Sequence, residues 1–474
     1  MARSSWIPGP RAASFSSIFA LALAWLVLTH WPFLDLPYHW DELGFFVPAA
    51  HDLFAEGRLI PRSTPPEIHP PLVMVWLAVA WKLFGFSPQV TRLAMLVAGA
   101  AVVAAVWLLA RRVAGPRAAG MAAALAAVSP PVVAQSMLAH LDLPATLWVL
   151  LTLYWYLEER WWLCTAAATA LVLTKETGLF VPLLLAALDR RRAWILGPPA
   201  MALAAWTLHL RDATGYWLGN PEFARYNVEQ AARWARLPLT LLRRLYQLGI
   251  ANFHWIGVLV LCRARRWSRE EHILLAIAAG YVALHSVLGG AVLLRYLLPA
   301  LAVFYILIAP RLPRPALVAL AAGLALSNWW NPPYPFGYED NLAVVDFVRL
   351  HQAAARWLAE RHPDRTVTTA WPLTDELSNP LSGYVTRPLR VRPVENFEPR
   401  SWDPVAEPDL VVLYSRSWEP ALTPWLARYF DYTPQISREE LMRRFGLASL
   451  ARWERRGQWI EVFGAEARSS AEAP

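Results

Sequence analysis

Apolar runs separated by short polar loops fill residues 1–330 of the chain. The first run, residues 14–33, is long enough to cross the roughly 30 Å hydrocarbon core of a bilayer. It ends in Trp31-Pro32-Phe33 with no small-residue cleavage site after it, so we expect an uncleaved first span rather than a signal peptide. The same pattern repeats along the chain and predicts a polytopic membrane domain with about eleven spans.

The predicted spans after the first share an apolar composition and are joined by short loops that contain arginine. They cover residues 92–113, 118–133, 143–157, 161–174, 179–188, 193–210, 245–261, 271–288, 296–309 and 315–330. A shorter apolar piece, residues 71–86, is interrupted by Lys82 and predicts an interfacial or re-entrant helix. Residues 211–244 predict an amphipathic helix that lies on the outer membrane surface.

Residues 331–474 have a more polar pattern, which predicts a small α/β domain after the membrane domain. Alternating short apolar runs predict its strands, and apolar residues at helical spacing predict its helices. The predicted elements are strands at residues 366–370, 410–414 and 459–463, helices at residues 341–361 and 438–452, and a frayed end at residues 468–474. The predicted fold class is therefore mainly α, a membrane helix bundle with a smaller α/β domain.

The composition supports a membrane protein, with 56% hydrophobic residues, 17% charged residues and a mean hydropathy of +0.30. The basic pI near 9.6 does not indicate nucleic-acid binding, because most arginines lie in short loops between apolar runs, where they set orientation. The positive-inside rule places the N-terminus in the cytoplasm and the C-terminal domain outside the plasma membrane. Cys164 and Cys262 lie in or beside apolar runs and predict neither a disulfide framework nor a metal site.

The candidate chemistry begins in the first loop, residues 34–91, which is rich in acids and histidines between residues 38 and 72. Ionisable side chains between membrane spans are costly without partners, so such a cluster is a candidate functional site. The predicted orientation puts charged residues of later loops on the same, outer side. The charged candidates on this side are Asp41, Glu42, His69, Asp142, Lys175 and Arg295. An ordinary solvated loop is the alternative for the first loop.

The acids in this set suit proton transfer from a hydroxyl, whereas the cations suit a phosphate. Asp41 and Glu42 are adjacent and would point about 100° apart on a helix, so we expect one to act and the other to support it. A helix N-terminal charge is the alternative for this pair, and a helix cap is the alternative for Asp142. The alternatives for Lys175 and Arg295 are extension to the membrane interface and an interfacial anchor.

Several short motifs, in their order and spacing, resemble the GT-C glycosyltransferase superfamily over residues 14–310. The relatives in question are the protein O-mannosyltransferases and the bacterial transferases that add aminoarabinose to lipid A. The motifs are WDELGFF, IHPPL and LFG in the first loop, followed by TRLAMLVAGA, MLAHLDLPATLW, LVLTKETGLFVP and LLRYLLPAL. The resemblance implies a GT-C helix bundle and a sugar donor that is linked to a polyprenyl phosphate.

The resemblance also implies roles for individual residues. The implied catalytic residues are Asp41, Glu42 and Asp142, the implied donor-phosphate ligands are Lys175, Arg295 and His69, and further candidates are His140 and Tyr296. Asp41 would take the proton of an acceptor hydroxyl, and a single in-line displacement would invert the anomeric carbon. His69 stands where the aminoarabinose enzymes have Lys-Pro-Pro and the mannosyltransferases have His-Pro-Pro.

The predicted function is transfer of a hexose or pentose from a polyprenyl-phosphate donor to a hydroxyl of a glycan, lipid or protein acceptor. No spacing of acids and histidines predicts a defined metal site, and a divalent metal requirement is left open. The main alternative is a transporter or flippase of lipid-linked sugars, although the sequence lacks visible pseudo-symmetric halves. A structural or assembly protein that shares the scaffold without catalysis is a third class.

Overall fold

The computed structural model describes residues 14–229, 236–288, 291–332, 336–415 and 434–465. The α-helices in these ranges are α1 (Phe15–His30), α2 (Val47–Glu56), α3 (Leu72–Phe84), α4 (Pro88–Val128), α5 (Pro130–Gln135), α6 (Asp142–Leu157), α7 (Trp161–Thr174), α8 (Phe180–Leu188), α9 (Gly197–Thr214), α10 (Pro221–Ala224), α11 (Leu237–Gly249), α12 (Trp255–Cys262), α13 (Arg269–Val287), α14 (Leu298–Ile308), α15 (Arg314–Ser327), α16 (Ala343–Arg361), α17 (Leu373–Ser378) and α18 (Arg438–Phe445). The strands are β1 (Val367–Ala370), β2 (Val391–Val394), β3 (Leu410–Tyr414), β4 (Ala448–Arg455) and β5 (Gln458–Gly464). The fold is therefore mainly α, as predicted, with a small sheet near its C-terminal end.

The longest helix, α4, joins two of the predicted spans. Gly115 inside it has a φ of 84°, which glycine adopts without strain, and Pro116 follows. The chain turns at this point, between the two predicted spans. The predicted end of the second span at residue 133 is wrong, because the helix ends at Val128 and Pro130 starts the separate helix α5.

Three helical segments of the described residues are long and apolar enough to cross a bilayer: Phe15–Phe33, Pro88–Val128 and Leu294–Arg311. Shorter apolar helices, including α3, α7 and α15, lie between and after them in the chain. With these shorter helices, the bundle accommodates about eleven spans, as predicted. The short helix predicted at residues 71–86 is confirmed as α3, while its place at the membrane interface stays a prediction.

The region predicted as one amphipathic helix, residues 211–244, is divided into several pieces. Helix α9 continues to Thr214, and Gly215, with a φ of 80°, ends it. The short helix α10 and the π-helical segment Arg225–Glu229 follow. Helix α11 then begins at Leu237, so the prediction of one continuous helix is wrong.

The predicted span at residues 245–261 is wrong at its start. Its first residues belong to α11, which ends at Gly249. Asn252 has a φ of 53° and breaks the helical path, so α12 is only 8 residues long. Helix α11 buries the polar side chains of Arg244 and Gln247. Its sequence therefore lacks the continuous apolar residues that are typical of a membrane span.

The C-terminal sheet has the strand order β2-β1-β3-β5-β4. Strand β1 pairs in parallel with β2 and β3, whereas β5 pairs antiparallel with β3 and β4. The three predicted strands and helix α16 are confirmed. The predicted helix at residues 438–452 is wrong beyond Phe445, because Gly446 has a φ of 62° and β4 follows. The predicted frayed end, residues 468–474, lies outside the described residues.

The segments around the C-terminal sheet pack directly against the first loop. The ring centroids of Trp40 and Trp371 are 5.0 Å apart, and those of His39 and Phe347 are 4.9 Å apart. Gly44 lies so close to Trp371 that a Cβ at this position would be 2.9 Å from its Cζ2. The segment that carries the first candidate acids is therefore enclosed between the helix bundle and the sheet domain.

Candidate active site

Asp41 and Arg295 are in direct contact, although 254 positions separate them in the sequence. Asp41 precedes the π-helical segment Glu42–Phe46, and Arg295 lies in the 3₁₀ segment Leu294–Leu297 before α14. Arg295 Nη2 donates a hydrogen bond to Asp41 Oδ2. The Asp41 side chain keeps 22% of its surface exposed and that of Arg295 only 4%, so Asp41 forms the accessible edge of the pair.

Arg295 also contacts two further carboxylates. Its Nη1 donates to Glu339 Oε2 at 2.9 Å, and its Nε lies 3.2 Å from Asp142 Oδ2. The same Nη1 lies 2.8 Å from His140 Nδ1. A guanidinium that is buried among acids in this way does not behave as an interfacial anchor, because an anchor would extend towards lipid headgroups.

Lys175 completes the group from the end of α7. Its Nζ donates to Asp142 Oδ1 at 2.5 Å, and the side chain is nearly buried rather than extended to the interface. Asp142 is the first residue of α6, and its side chain does not cap that helix. The carboxylate instead bridges Lys175 and Arg295. We call Asp41, Asp142, Lys175, Arg295 and Glu339 the charge cluster.

The ring of Tyr296 packs against three cationic side chains. Lys175 Nζ is 4.5 Å from the centroid of its ring, and the guanidinium carbons of Arg244 and Arg295 are each 5.6 Å from it. Arg244, on α11, is fully buried, and its Nη1 donates to the Leu293 carbonyl oxygen at 2.5 Å. Its Nη2 has no hydrogen-bond partner among the described residues. Arg244 is absent from the predicted site residues because residues 211–244 are predicted to lie on the membrane surface.

His69 lies beside the charge cluster and contacts acids rather than the other cations. Its Nδ1 is 2.7 Å from Glu176 Oε2, and its Nε2 is 3.7 Å from Glu67 Oε2. Burial alone would lower the pKa of His69, but the charge of Glu176 and the hydrogen bond to it raise that pKa above its ordinary value. His69 therefore lies between the carboxyl groups of Glu176 and Glu67, which favour its protonated form.

Glu42 is fully buried and contacts backbone and arginine groups of the protein interior. Arg92 Nη1 donates to Glu42 Oε1, and the amide nitrogen of Ala139 donates to the same oxygen at 2.6 Å. The amide nitrogen of His39 donates to Oε2 at 2.9 Å. Glu42 thus holds the first loop against the turn before α6. This contact also fixes the backbone of the neighbouring residue, Asp41. Arg92 is predicted only as the first residue of a span, with no role at the site.

Glu339 brings a carboxylate from the segment that leads into the C-terminal domain. It lies in the 3₁₀ segment Tyr338–Asp340, and Gln135 Nε2 donates to its carbonyl oxygen at 3.2 Å. Burial and the nearby charge of Asp41 raise the pKa of the Glu339 carboxyl to about 8, although Arg295 opposes the shift. Glu339 is absent from the predicted site residues because it lies beyond the last predicted span and outside the motifs.

The carboxyl groups of Asp41, Asp142 and Glu339 are each in contact with Lys175 or Arg295. Among the residues that the structure describes, no group of three or more His, Cys, Asp or Glu side chains is arranged to hold a metal ion. The site combines one accessible acid with several fixed cations. That combination suits a substrate with a hydroxyl and an anionic group.

Known proteins resemble this chain in sequence and in fold. The model of the family described as dolichyl-phosphate-mannose-protein mannosyltransferase matches residues 68–217, which include His69, Asp142 and Lys175. A search of curated proteins gave no match. The crystal structure of ArnT from Cupriavidus metallidurans bound to undecaprenyl phosphate aligns with a TM-score of 0.57 at 16% identity, over 94% of this chain and 98% of that chain. The apo state of ArnT aligns with a TM-score of 0.54 at 16% identity, over 94% and 97%.

Both alignments with ArnT, a GT-C glycosyltransferase, extend over nearly the whole of each chain. The chain has the GT-C fold. The GT-C resemblance found in the motifs is thereby confirmed, and the protein is a multi-pass membrane protein. The archaeal oligosaccharyltransferase AglB from Archaeoglobus fulgidus aligns less well, with a TM-score of 0.45 at 15% identity over 84% of this chain and 69% of that chain. The two ArnT alignments, at 16% identity, show the fold alone.

Proposed function

We propose that this protein is an integral-membrane glycosyltransferase that moves a sugar from a polyprenyl-phosphate donor to an acceptor hydroxyl. The observation that carries the proposal is the charge cluster, in which Asp41 from the first loop meets Lys175 and Arg295 from distant parts of the chain. The GT-C fold and the mannosyltransferase match over residues 68–217 support the same reaction class. The aligned ArnT structure carries undecaprenyl phosphate, which supports a lipid phosphate as the donor's leaving group.

The donor phosphate would rest against the cations around Tyr296. Lys175 and Arg295 are already fixed there by carboxylates, so they need no rearrangement of the backbone to receive an anion. Arg244 Nη2, which is buried without a described partner, adds a donor that is free to bind a phosphate oxygen. A guanidinium in a dry site binds phosphate strongly because its planar donors match two oxygens.

Asp41 would act as the base. It is the most exposed acid of the charge cluster, and it is fixed by Arg295 at the edge of the buried group. The acceptor hydroxyl gives its proton to Asp41 while its oxygen attacks the anomeric carbon. The bond from that carbon to the phosphate oxygen breaks, and its electron pair leaves with the lipid phosphate. One displacement inverts the anomeric carbon.

The cations would replace a general acid in this reaction. The leaving phosphate is already anionic, so the positive charges of Lys175 and Arg295 stabilise it as negative charge builds on its oxygen. Asp142 would hold both cations at this place, and Glu42 would hold the loop that carries Asp41. The positive-inside rule, applied to the loop arginines, supports an active site at the outer face of the plasma membrane.

The test uses the full-length protein in lipid nanodiscs with undecaprenyl phosphate that bears a labelled hexose or pentose. We expect release of undecaprenyl phosphate together with incorporation of the label into an acceptor from a cell-envelope extract. Comparing the two donors decides the sugar class. Donor that moves across vesicle membranes without bond cleavage would instead support a transporter, and no cleavage of either donor would overturn the proposal.

A further inference from the structure

The backbone of Trp40, the residue before Asp41, has a conformation that tryptophan rarely adopts. Its φ is 48°, in the left-handed region, where a residue with a Cβ is crowded against its own backbone. Such a conformation persists only where surrounding contacts hold it, and it is common at functional sites. Because Trp40 directly precedes Asp41, its conformation sets the direction in which the Asp41 side chain leaves the first loop.

The ring of Trp371, which directly follows β1, packs against the ring of Trp40. The two ring centroids are 5.0 Å apart, and the ring planes are inclined by 72°. Trp371 Nε1 donates to Asp375 Oδ2 at 3.1 Å, and Tyr414 Oη donates to the carbonyl oxygen of Trp371 at 2.7 Å. The side chain of Trp371 is therefore fixed by α17 and its backbone by β3.

The same indole also packs on Gly44, one helical turn after Trp40. The amide nitrogen of Gly44 donates to the Trp40 carbonyl oxygen at 2.9 Å, and Thr64 Oγ1 donates to the Gly44 carbonyl oxygen at 2.5 Å. A Cβ on Gly44 would lie only 2.9 Å from Trp371 Cζ2, so a side chain there would push the indole and the first loop apart. Trp371 thus contacts the first loop on both sides of Asp41.

We propose that Trp371 is a positioning residue for the transfer reaction, which holds Trp40 in its left-handed conformation and so directs Asp41 towards the acceptor hydroxyl. This inference rests on the proposed function and adds that the segment after β1 takes part in it. Trp371 acts through the first loop and not by touching the substrate. A displacement of about 1 Å in a reacting group can slow a reaction by about 100-fold, so this contact has a large effect on the rate.

The variant Trp371→Ala should slow the chemical step and leave lipid binding unchanged. We expect kcat to fall by about 100-fold, because Asp41 loses its fixed direction. The affinity for bare undecaprenyl phosphate in nanodiscs should stay as in the wild type. Lys175 and Arg295, the proposed phosphate ligands, are both held by Asp142, and this contact does not depend on the indole.

The matched control is Trp357→Ala. Trp357 lies on α16, is half-buried like Trp371, and packs edge-to-face on Trp453 with ring centroids 6.0 Å apart. Its other ring contact is with His362, also outside the first loop. We expect Trp357→Ala to keep the wild-type kcat. A similar kcat in the two variants, or weaker lipid binding in Trp371→Ala, overturns the inference.

A pair of size changes tests the contact from the side of Gly44. In the wild type, Gly44→Ala forces the indole and the first loop apart, and we expect kcat to fall by about tenfold. The three atoms nearest to the added Cβ all belong to the indole of Trp371, so Trp371→Phe makes room for it. In that background Gly44→Ala should cost less than about threefold. Gly120→Ala, at a glycine with open space around it, is the control and should cost nothing. Equal costs of Gly44→Ala in both backgrounds overturn the inference.

A labelling measurement separates this inference from the proposed function. Asp41→Cys is combined with Cys262→Ser, which removes the exposed native cysteine, whereas Cys164 is buried. We expect Trp371→Ala to raise the rate at which a water-soluble maleimide labels the introduced thiol by at least about threefold, because the released loop populates other conformations. Trp357→Ala should leave that rate unchanged. If the wild type cleaves no donor, the proposed function fails, while an unchanged labelling rate in Trp371→Ala overturns the positioning role.

Discussion

Glu42 and Arg92 form an ion pair that is closed to solvent on both sides, with the two side chains 0% and 1% exposed. Arg92 also donates to the carbonyl oxygens of Pro37 and Met137, each at 2.7 Å. The pair thus joins the first loop, the start of α4 and the turn before α6. A charge buried in this way is stabilised only while its partner is present.

Replacing Arg92 with methionine should therefore destabilise the protein strongly. The change leaves Glu42 buried and uncompensated, and we expect a loss of about 3–5 kcal/mol in the free energy of unfolding. Thermal or denaturant unfolding in detergent measures this loss. Arg112→Met is the matched control, since its pair with Glu158 is 35% exposed on both sides and should cost about 0–1 kcal/mol. Similar losses in the two variants would contradict the assignment of Glu42 as an anchor.

Asp41→Asn should abolish transfer and leave the fold intact. The amide keeps the size of the side chain but cannot accept the proton, so we expect kcat to fall by at least about 100-fold. Donor affinity, measured with undecaprenyl phosphate, should change far less than kcat. Asp35→Asn is the control, because Asp35 is exposed in the same loop and contacts Gln89 rather than the charge cluster. Full activity in Asp41→Asn would exclude its role as the base.

The sequence predicts the parts of this site that follow from local patterns. Loop arginines and apolar runs predict which loops share a side, and the structure indeed brings Asp41, Asp142, Lys175 and Arg295 together. The motifs predict the GT-C fold because their order along the chain is visible in the sequence itself and requires no knowledge of tertiary contacts. Strands β1, β3 and β5 can be predicted in the same way, since each is a short run rich in β-branched, aromatic or other apolar residues.

The missed features depend on contacts between distant segments. Glu339 looks like an ordinary acid after the last span, and only the return of this segment towards Gln135 places it on Arg295. Arg244 looks like one arginine of a surface helix, and only its contacts with the carbonyl oxygens of His285 and Leu293 show that it is buried. Strand β4 is misread as helix because only its pairing with β5 selects the extended form.

Arg295→Lys should impair transfer even though it keeps the positive charge. A lysine has no planar fork, so it cannot hold Asp41 and Glu339 and also bind a phosphate oxygen. We expect kcat to fall by about 100-fold and donor affinity to weaken, both measured in nanodiscs with the labelled donor. Arg311→Lys is the control at the other end of α14, where Arg311 pairs with Glu271. Equal activity of the two variants would show that charge alone suffices.

The carboxyl of Glu339 should make both the stability of the protein and its affinity for the donor phosphate depend on pH. Its carboxyl is buried and has a pKa near 8, so the native protein holds a proton there that the unfolded chain loses above its ordinary value of 4.5. This carboxyl therefore makes the protein less stable as the pH rises from 4.5 to about 8. Above about 8 it is ionised in the native state and competes with the donor phosphate for Arg295.

We therefore expect the affinity for undecaprenyl phosphate to fall by about tenfold as the pH rises through the pKa of Glu339, near 8. Glu339→Gln, which stays neutral, should bind the lipid equally well on both sides of that pH. Glu360→Gln, an exposed change on α16, should keep the wild-type decline. Glu67, whose pKa is near 7, is present in all three proteins. Its titration therefore cannot explain a difference between them in the pH dependence of lipid affinity. An unchanged decline in Glu339→Gln would assign the titration to another group and remove Glu339 from the control of Arg295.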